Sequence, residues 1–153
     1  MTHAAVIGCG NLARGDDGVG PHVVRTLAHR GMARVPSVKL LDAGTDGMAV
    51  LLAAKACRKL IVIDAVRSGS APGAVFEVPG RELQDRPPPP TSLHDFRWEH
   101  ALYAGRRMYG ADFPSDVTVL LVEVQCIDFG MELSPAVAAA AEKVAVRVQD
   151  LLR

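Results

Sequence analysis

Three residues of this chain have the types and settings that chemistry asks for: Asp17, Asp64 and His94. Two carboxylates and an imidazole make a three-ligand set for a divalent transition metal, with positions left open for water or substrate. The same groups also serve as general acids and bases. Asp64 follows the apolar run Leu60-Ile61-Val62-Ile63, at which a buried strand is expected to end. In open α/β sheets ligands gather beyond the carboxyl ends of such strands, so an acid there is a candidate before any other.

Asp17 lies in a longer loop. An apolar run ends in Gly8-Cys9-Gly10-Asn11, and Arg14-Gly15-Asp16-Asp17-Gly18-Val19-Gly20 follows. Glycines of this density permit close backbone approach and positive φ, so Gly8, Gly10 and Asn11 are read as support for two acids delivered to the sheet edge. Asp16 and Asp17 make a poor shared-proton pair, because adjacent side chains project in different directions. Asp42 holds the equivalent place after a second apolar run, where turn formation and catalytic support are equally good readings.

His94 sits in Ser92-Leu93-His94-Asp95. Ser92 as N-cap and Asp95 as its reciprocal acid predict that His94 lies in the first turn of a helix, where the positive end of the dipole keeps the imidazole neutral; read by itself it is either a ligand or an exposed surface histidine. His3, His22, His29 and His100 have no partner at a useful spacing and are read as ordinary. Cys9, between two glycines at a strand end, is either a nucleophile beside His94 or, more simply, a small buried side chain.

Apolar runs of strand length alternate with stretches of helical period, the mark of βαβ units around a largely parallel sheet. Strands are expected at Ala4–Gly8, Val38–Asp42, Leu60–Asp64, Ala74–Val78 and Val117–Val124. The fourth follows the Ser-Gly-Ser-Ala-Pro-Gly turn with no room for a crossover helix. It is therefore expected at an edge, antiparallel to its predecessor. A first helix starts near Asp17–Pro21, buries Val23, Val24 and Leu27 and ends near Gly31. A last one is announced by Ser134-Pro135, with Val137, Ala141, Val144, Val148 and Leu151 on one stripe. Pro87–Pro90 is a polyproline loop leading to His94, and Trp98 is either core or contact.

A length of 153 residues fits one domain, 1–153. Lys+Arg and Asp+Glu balance at 17 each, so the positive field that nucleic acid and anionic membranes require is missing. Three widely spaced cysteines form no disulfide or zinc pattern, which suits a reducing cytoplasm. No apolar run reaches the roughly 18 residues of a membrane helix, and no secretory leader is evident. The expected setting is cytoplasmic.

Gly8-Cys9-Gly10-Asn11-Leu12-Ala13 formally satisfies the dinucleotide fingerprint, with Asp42 as the ribose acid. That fingerprint requires a helix opening at its second glycine, whereas Gly15, Gly18, Gly20 and Pro21 delay the helix. Asp16 and Asp17 would also face the pyrophosphate. No nucleotide cofactor is expected.

At these residues the chain resembles the hydrogenase maturation protease family. The likeness runs through the GCGN start, Asp16-Asp17-Gly18-Val19-Gly20, Asp42-Ala43-Gly44-Thr45, Ile63-Asp64-Ala65, Ala71-Pro72-Gly73 and Ser92-Leu93-His94, in that order. Two departures stand out: Asp17 where relatives often carry Glu, and Ala43 where a glycine is common. The resemblance implies a three-layer sandwich, with a twisted five-stranded mixed sheet, one strand antiparallel at an edge, and helices on both faces. It implies an endopeptidase that trims the C-terminal extension from the large-subunit precursor of a nickel–iron hydrogenase after nickel insertion. The nickel would be carried by that precursor and contacted by Asp17, Asp64 and His94. A nickel-sensing chaperone that cuts nothing is the alternative.

Overall fold

The computed structural model describes residues 3–55, 57–83 and 96–153. Five strands, β1 Ala4–Cys9, β2 Val38–Gly44, β3 Lys59–Val66, β4 Val75–Pro79 and β5 Asp116–Glu123, form one sheet in the order β2-β1-β3-β5-β4. All neighbours are parallel except β4, which runs antiparallel at its edge. The helices are α1 Val19–His29, α2 Gly47–Ala54, α3 Trp98–Tyr109 and α4 Pro135–Leu151.

Strand alternation divides the core between two faces. Val6, Ile61, Ile63, Leu120 and Val122 pack with Val23 and Leu27 of α1 and Val137, Val144 and Val148 of α4. Ala5, Ile7, Leu60, Val62 and Val119 point the other way, into Val50 and Leu51 of α2 and Trp98 and Leu102 of α3. A sheet covered on both faces needs strands apolar at every position, which is why the Leu-Ile-Val-Ile run of β3 is wholly buried. The expected three-layer α/β architecture is the observed one.

Two expectations need correction. β4 is at an edge and antiparallel, but its partner is β5, not its predecessor β3. The link from β3 steps across the end of β5 instead of turning back beside β3. Buried Glu123 holds it there, its carboxylate accepting from the Ser68 amide while its backbone bonds Gly73 and Ala74. Secondly, β3 does not end at Asp64. It stays paired with β5 through Asp64, Ala65 and Val66, whereas its pairing with β1 stops at Ile63. Asp64 thus emerges where the strand has lost one neighbour and kept the other.

α3 begins at Trp98, with Arg97 extended as its N-cap, and the helix start expected at Ser92 falls outside the described residues. His100, read as ordinary, supplies the cap: its Nδ1 accepts from the Arg97 amide at 3.0 Å. Ser92–Asp95, His94 included, and Pro87–Pro90 lie outside the described residues.

Candidate active site

The loop after β1 is built by backbone contact. A Cβ on Gly8 would fall 2.4 Å from the Gly20 carbonyl oxygen, so strand end and helix start meet with no side chain between them. Gly10, at φ +130°, lies so close to the Asp17 carbonyl that a Cβ there would be 1.9 Å from its oxygen and 3.7 Å from Oδ1 of Asp64. Beside it the β1–β2 register slips, Gly8 facing Asp42 and Cys9 facing Gly44. Such a bulge re-aims the chain at a sheet edge. The 3-10 turn Gly15–Gly18 then intervenes before α1 opens at Val19. No helix starts at Gly10, as the dinucleotide reading would need.

The two neighbouring acids have different environments. Asp16 is fully buried. Its Oδ2 accepts from the Gln125 and Cys126 amides and the Ser134 hydroxyl, and its Oδ1 from the Ser134 amide at 2.7 Å. Burial alone would raise its pKa, but these donors outweigh it and hold the carboxyl below the usual range. Asp16 therefore fastens the first loop to the end of β5 and the start of α4. Ser134 is the N-cap residue of α4, as expected, but its hydroxyl serves Asp16 and not the helix. Asp17 is half-buried, accepts from the Asn11 amide at 2.8 Å and faces a cavity.

That cavity, of about 310 Å³, opens beyond the carboxyl ends of β1 and β3. Asp17, Asp64, Cys9, Gly10, Asn11, Arg14, Ile127, Arg97 and Trp98 line it, together with residues 44–47. Asp64 is 3% exposed. Its Oδ1 accepts from the Ala65 amide and its Oδ2 from the Trp98 indole, each at 2.8 Å, with the Arg97 guanidinium 3.8 Å away. Burial dominates, pushing its pKa up to about 6; these donors and Arg97 pull down and Asp17 pushes up. A carboxylate poised there is ionised at neutral pH yet basic enough to take a proton.

Burial, followed by the Asp64 charge, pushes the Cys9 thiol far above its ordinary value, so the compact buried side chain is the better reading of it. Asp42 accepts from the Gly44 amide at 3.0 Å and lies 3.8 Å from Arg25, an arrangement that shapes the turn. Among the described residues no three His, Cys, Asp or Glu side chains converge as a metal site. Two of the three residues singled out, Asp17 and Asp64, share the cavity, and the third is His94. Sequence reasoning missed Arg97 as a site residue and left Trp98 unassigned. The signal for Trp98 was an aromatic with one N–H donor near a buried acid, visible only once the fold brings α3 to β3.

A model of the hydrogenase maturation protease family matches residues 21–150. The chain belongs to this family. It is 31% identical over 153 residues to the hydrogenase expression/formation protein HupD of Rhodobacter capsulatus, covering 95% of this chain and 70% of that one. It is 29% identical over 150 residues to the hydrogenase 2 maturation protease of Escherichia coli K12, covering 97% and 89%. The solved hydrogenase-maturating endopeptidase HybD of E. coli superposes with a TM-score of 0.83 at 26% identity, covering 99% of this chain and 93% of that one. The fold is thus that of the family's endopeptidases, and the protein is a hydrolase concerned with hydrogenase maturation. Among the described residues no helix is long and apolar enough to cross a membrane.

Proposed function

We propose that this maturation protease removes the C-terminal extension of a nickel–iron hydrogenase large-subunit precursor once nickel has been inserted, in the cytoplasm, and that Asp17, Asp64 and His94 carry the reaction. The observation that supports the site most is the meeting of Asp17 and Asp64 on one cavity, beyond the ends of β1 and β3. Carboxylate oxygens with an imidazole suit nickel held by the substrate. Such a set recognises a precursor whose metal is in place and leaves an empty one alone.

The reaction is hydrolysis of one peptide bond. Engagement of the substrate's nickel polarises the nearby carbonyl, or Asp17 or Asp64 takes a proton from the attacking water. Water oxygen bonds to the carbonyl carbon, the C–N bond breaks, and the departing amine receives a proton. Asp64 suits the base role because one oxygen is tied to Ala65 and the other to Trp98, which fixes its direction without neutralising it. Arg97 and Arg14 supply positive charge at the rim.

Intact mass spectrometry of nickel-loaded precursor incubated with the protein tests this reading. Loss of a C-terminal peptide is expected. Binding with no change in mass would favour the non-catalytic chaperone instead.

A further inference from the structure

We propose that a second cavity, which shares a wall with the first, receives the side chain of the first residue of the extension that is cut off, and that this residue is apolar. The proposal rests on the proteolytic reading above. The second cavity measures about 400 Å³, and Asp64, Arg97 and Trp98 line it as they line the reaction cavity. The common wall is thus the proposed base, the indole that binds it and the guanidinium beside it. Strand alternation supplies the other walls. Asp64 and Leu121 are register partners, Val78 pairs with Val119, and Val66 stands two positions beyond Asp64. All of these side chains project to the α3 face of the sheet. There Leu121 and Val78 pack against the cluster that holds Val119, Leu83 and Trp98. Helix α3 covers this end of the face only in part, and Val66, Val78 and Leu121 stay half-buried around the cavity.

The lining selects the occupant. Its charged side chains are Asp64, Arg97 and Glu99, and the Arg97 guanidinium stands 3.8 Å from Asp64 and 3.9 Å from Glu99. A charged occupant would meet ion pairs already made, and would lose its hydration against Val66, Val78, Leu83 and Leu121. An apolar side chain gains by covering the same surface. Which residue enters follows from what each half of the precursor carries. The retained half brings nickel to Asp17 and Asp64, and of the two cavities only the first has Asp17 in its wall. The retained half therefore fills the reaction cavity, and the extension leaves across the common wall. Successive Cα atoms of a chain lie ~3.8 Å apart, so the residue just past the scissile bond is the one whose side chain reaches beyond Asp64 and Trp98.

The test is processing of nickel-loaded precursor by the full chain, with kcat/KM measured for each pairing of enzyme and precursor. The mass of the released peptide identifies its first residue, which should be apolar; a charged residue there would overturn the proposal. With wild type, Asp in place of that residue should lower kcat/KM by about tenfold or more. Val78→Phe fills the cavity from its β4 wall. It should lower kcat/KM about tenfold for the natural precursor, but by no more than about twofold for a precursor with Ala at that residue, which leaves room for the ring. Val146→Phe makes the same change at a 47% exposed position of α4, the helix packed on the other face of the sheet, and should alter neither value. Should Val78→Phe not fold, the precursor series with wild type decides alone. Equal losses by Val78→Phe on both precursors, or an Asp precursor cut as fast as the natural one, would overturn the second cavity's role and leave the protease standing. A wild type that cuts no nickel-loaded precursor would overturn the proteolytic reading and the cavity's role with it.

Discussion

The indole N–H of Trp98 donates to Oδ2 of Asp64 at 2.8 Å, joining the first turn of α3 to the acid that emerges from β3. The bond selects an orientation for a carboxylate that is otherwise destabilised by burial. Trp98→Phe keeps most of the ring and deletes the donor. Burial is then less opposed, so the Asp64 pKa should rise further and kcat should fall by about tenfold, in keeping with a hydrogen bond to a charged group. A pH profile checks it: the acid limb of kcat/KM should move upward, and a limb that stays in place would mean that the indole only fills space.

For the wild-type enzyme that limb should lie near pH 6, the value to which burial raises Asp64. Processing should be lost progressively as pH falls through it, because the protonated acid neither engages a metal nor accepts a proton. The measurement is kcat/KM between about pH 5 and pH 8. Activity that stays flat across that range would remove Asp64 from the mechanism.

Asp16 and Asp17, adjacent in sequence, should separate cleanly on substitution. Asp16→Ala leaves the part-buried amides of Gln125, Cys126 and Ser134 short of their acceptor, and a cost of about 2 kcal/mol is expected in denaturant titration. Asp17→Asn keeps an oxygen for the Asn11 amide, so its stability should change by less than about 1 kcal/mol while activity falls at least 100-fold.

The pH dependence of stability carries opposite signs at Asp16 and Asp64. Asp16 is held below its unfolded value, so its stabilisation is present above the ordinary aspartate range and is lost as pH falls through the depressed folded value. Asp64 is raised, so its ionisation opposes folding increasingly as pH climbs from about 4 to about 6. Thermal melts of wild type and Asp16→Asn should therefore differ at neutral pH and converge in strong acid. A gap that persists there would show that Asp16 acts by shape and not by charge.

Much of this was legible because it is local. The doubly covered β3 follows from Leu60-Ile61-Val62-Ile63, α4 from its stripe, and the delayed α1 from Gly18, Gly20 and Pro21. What escaped depends on distant partners. Which of Asp16 and Asp17 is structural is decided by amides 109 to 118 positions away. The end of β3 is set by its continued pairing with β5, and the partner of β4 by where Glu123 holds the crossing loop. α2 is apolar around most of its circumference, with Val50, Leu51, Ala53 and Ala54 buried, so it offers no amphipathic stripe to read.

On the function proposed above, two carboxylates on one cavity cut only a precursor whose nickel is in place. The most direct test is intact mass spectrometry of nickel-loaded and nickel-free precursor, side by side, with wild type, Asp17→Asn and Asp64→Asn. Loss of a C-terminal peptide is expected for wild type with loaded precursor alone, and none in the other five reactions. Cleavage of nickel-free precursor, or cleavage by either variant at the wild-type rate, would contradict it.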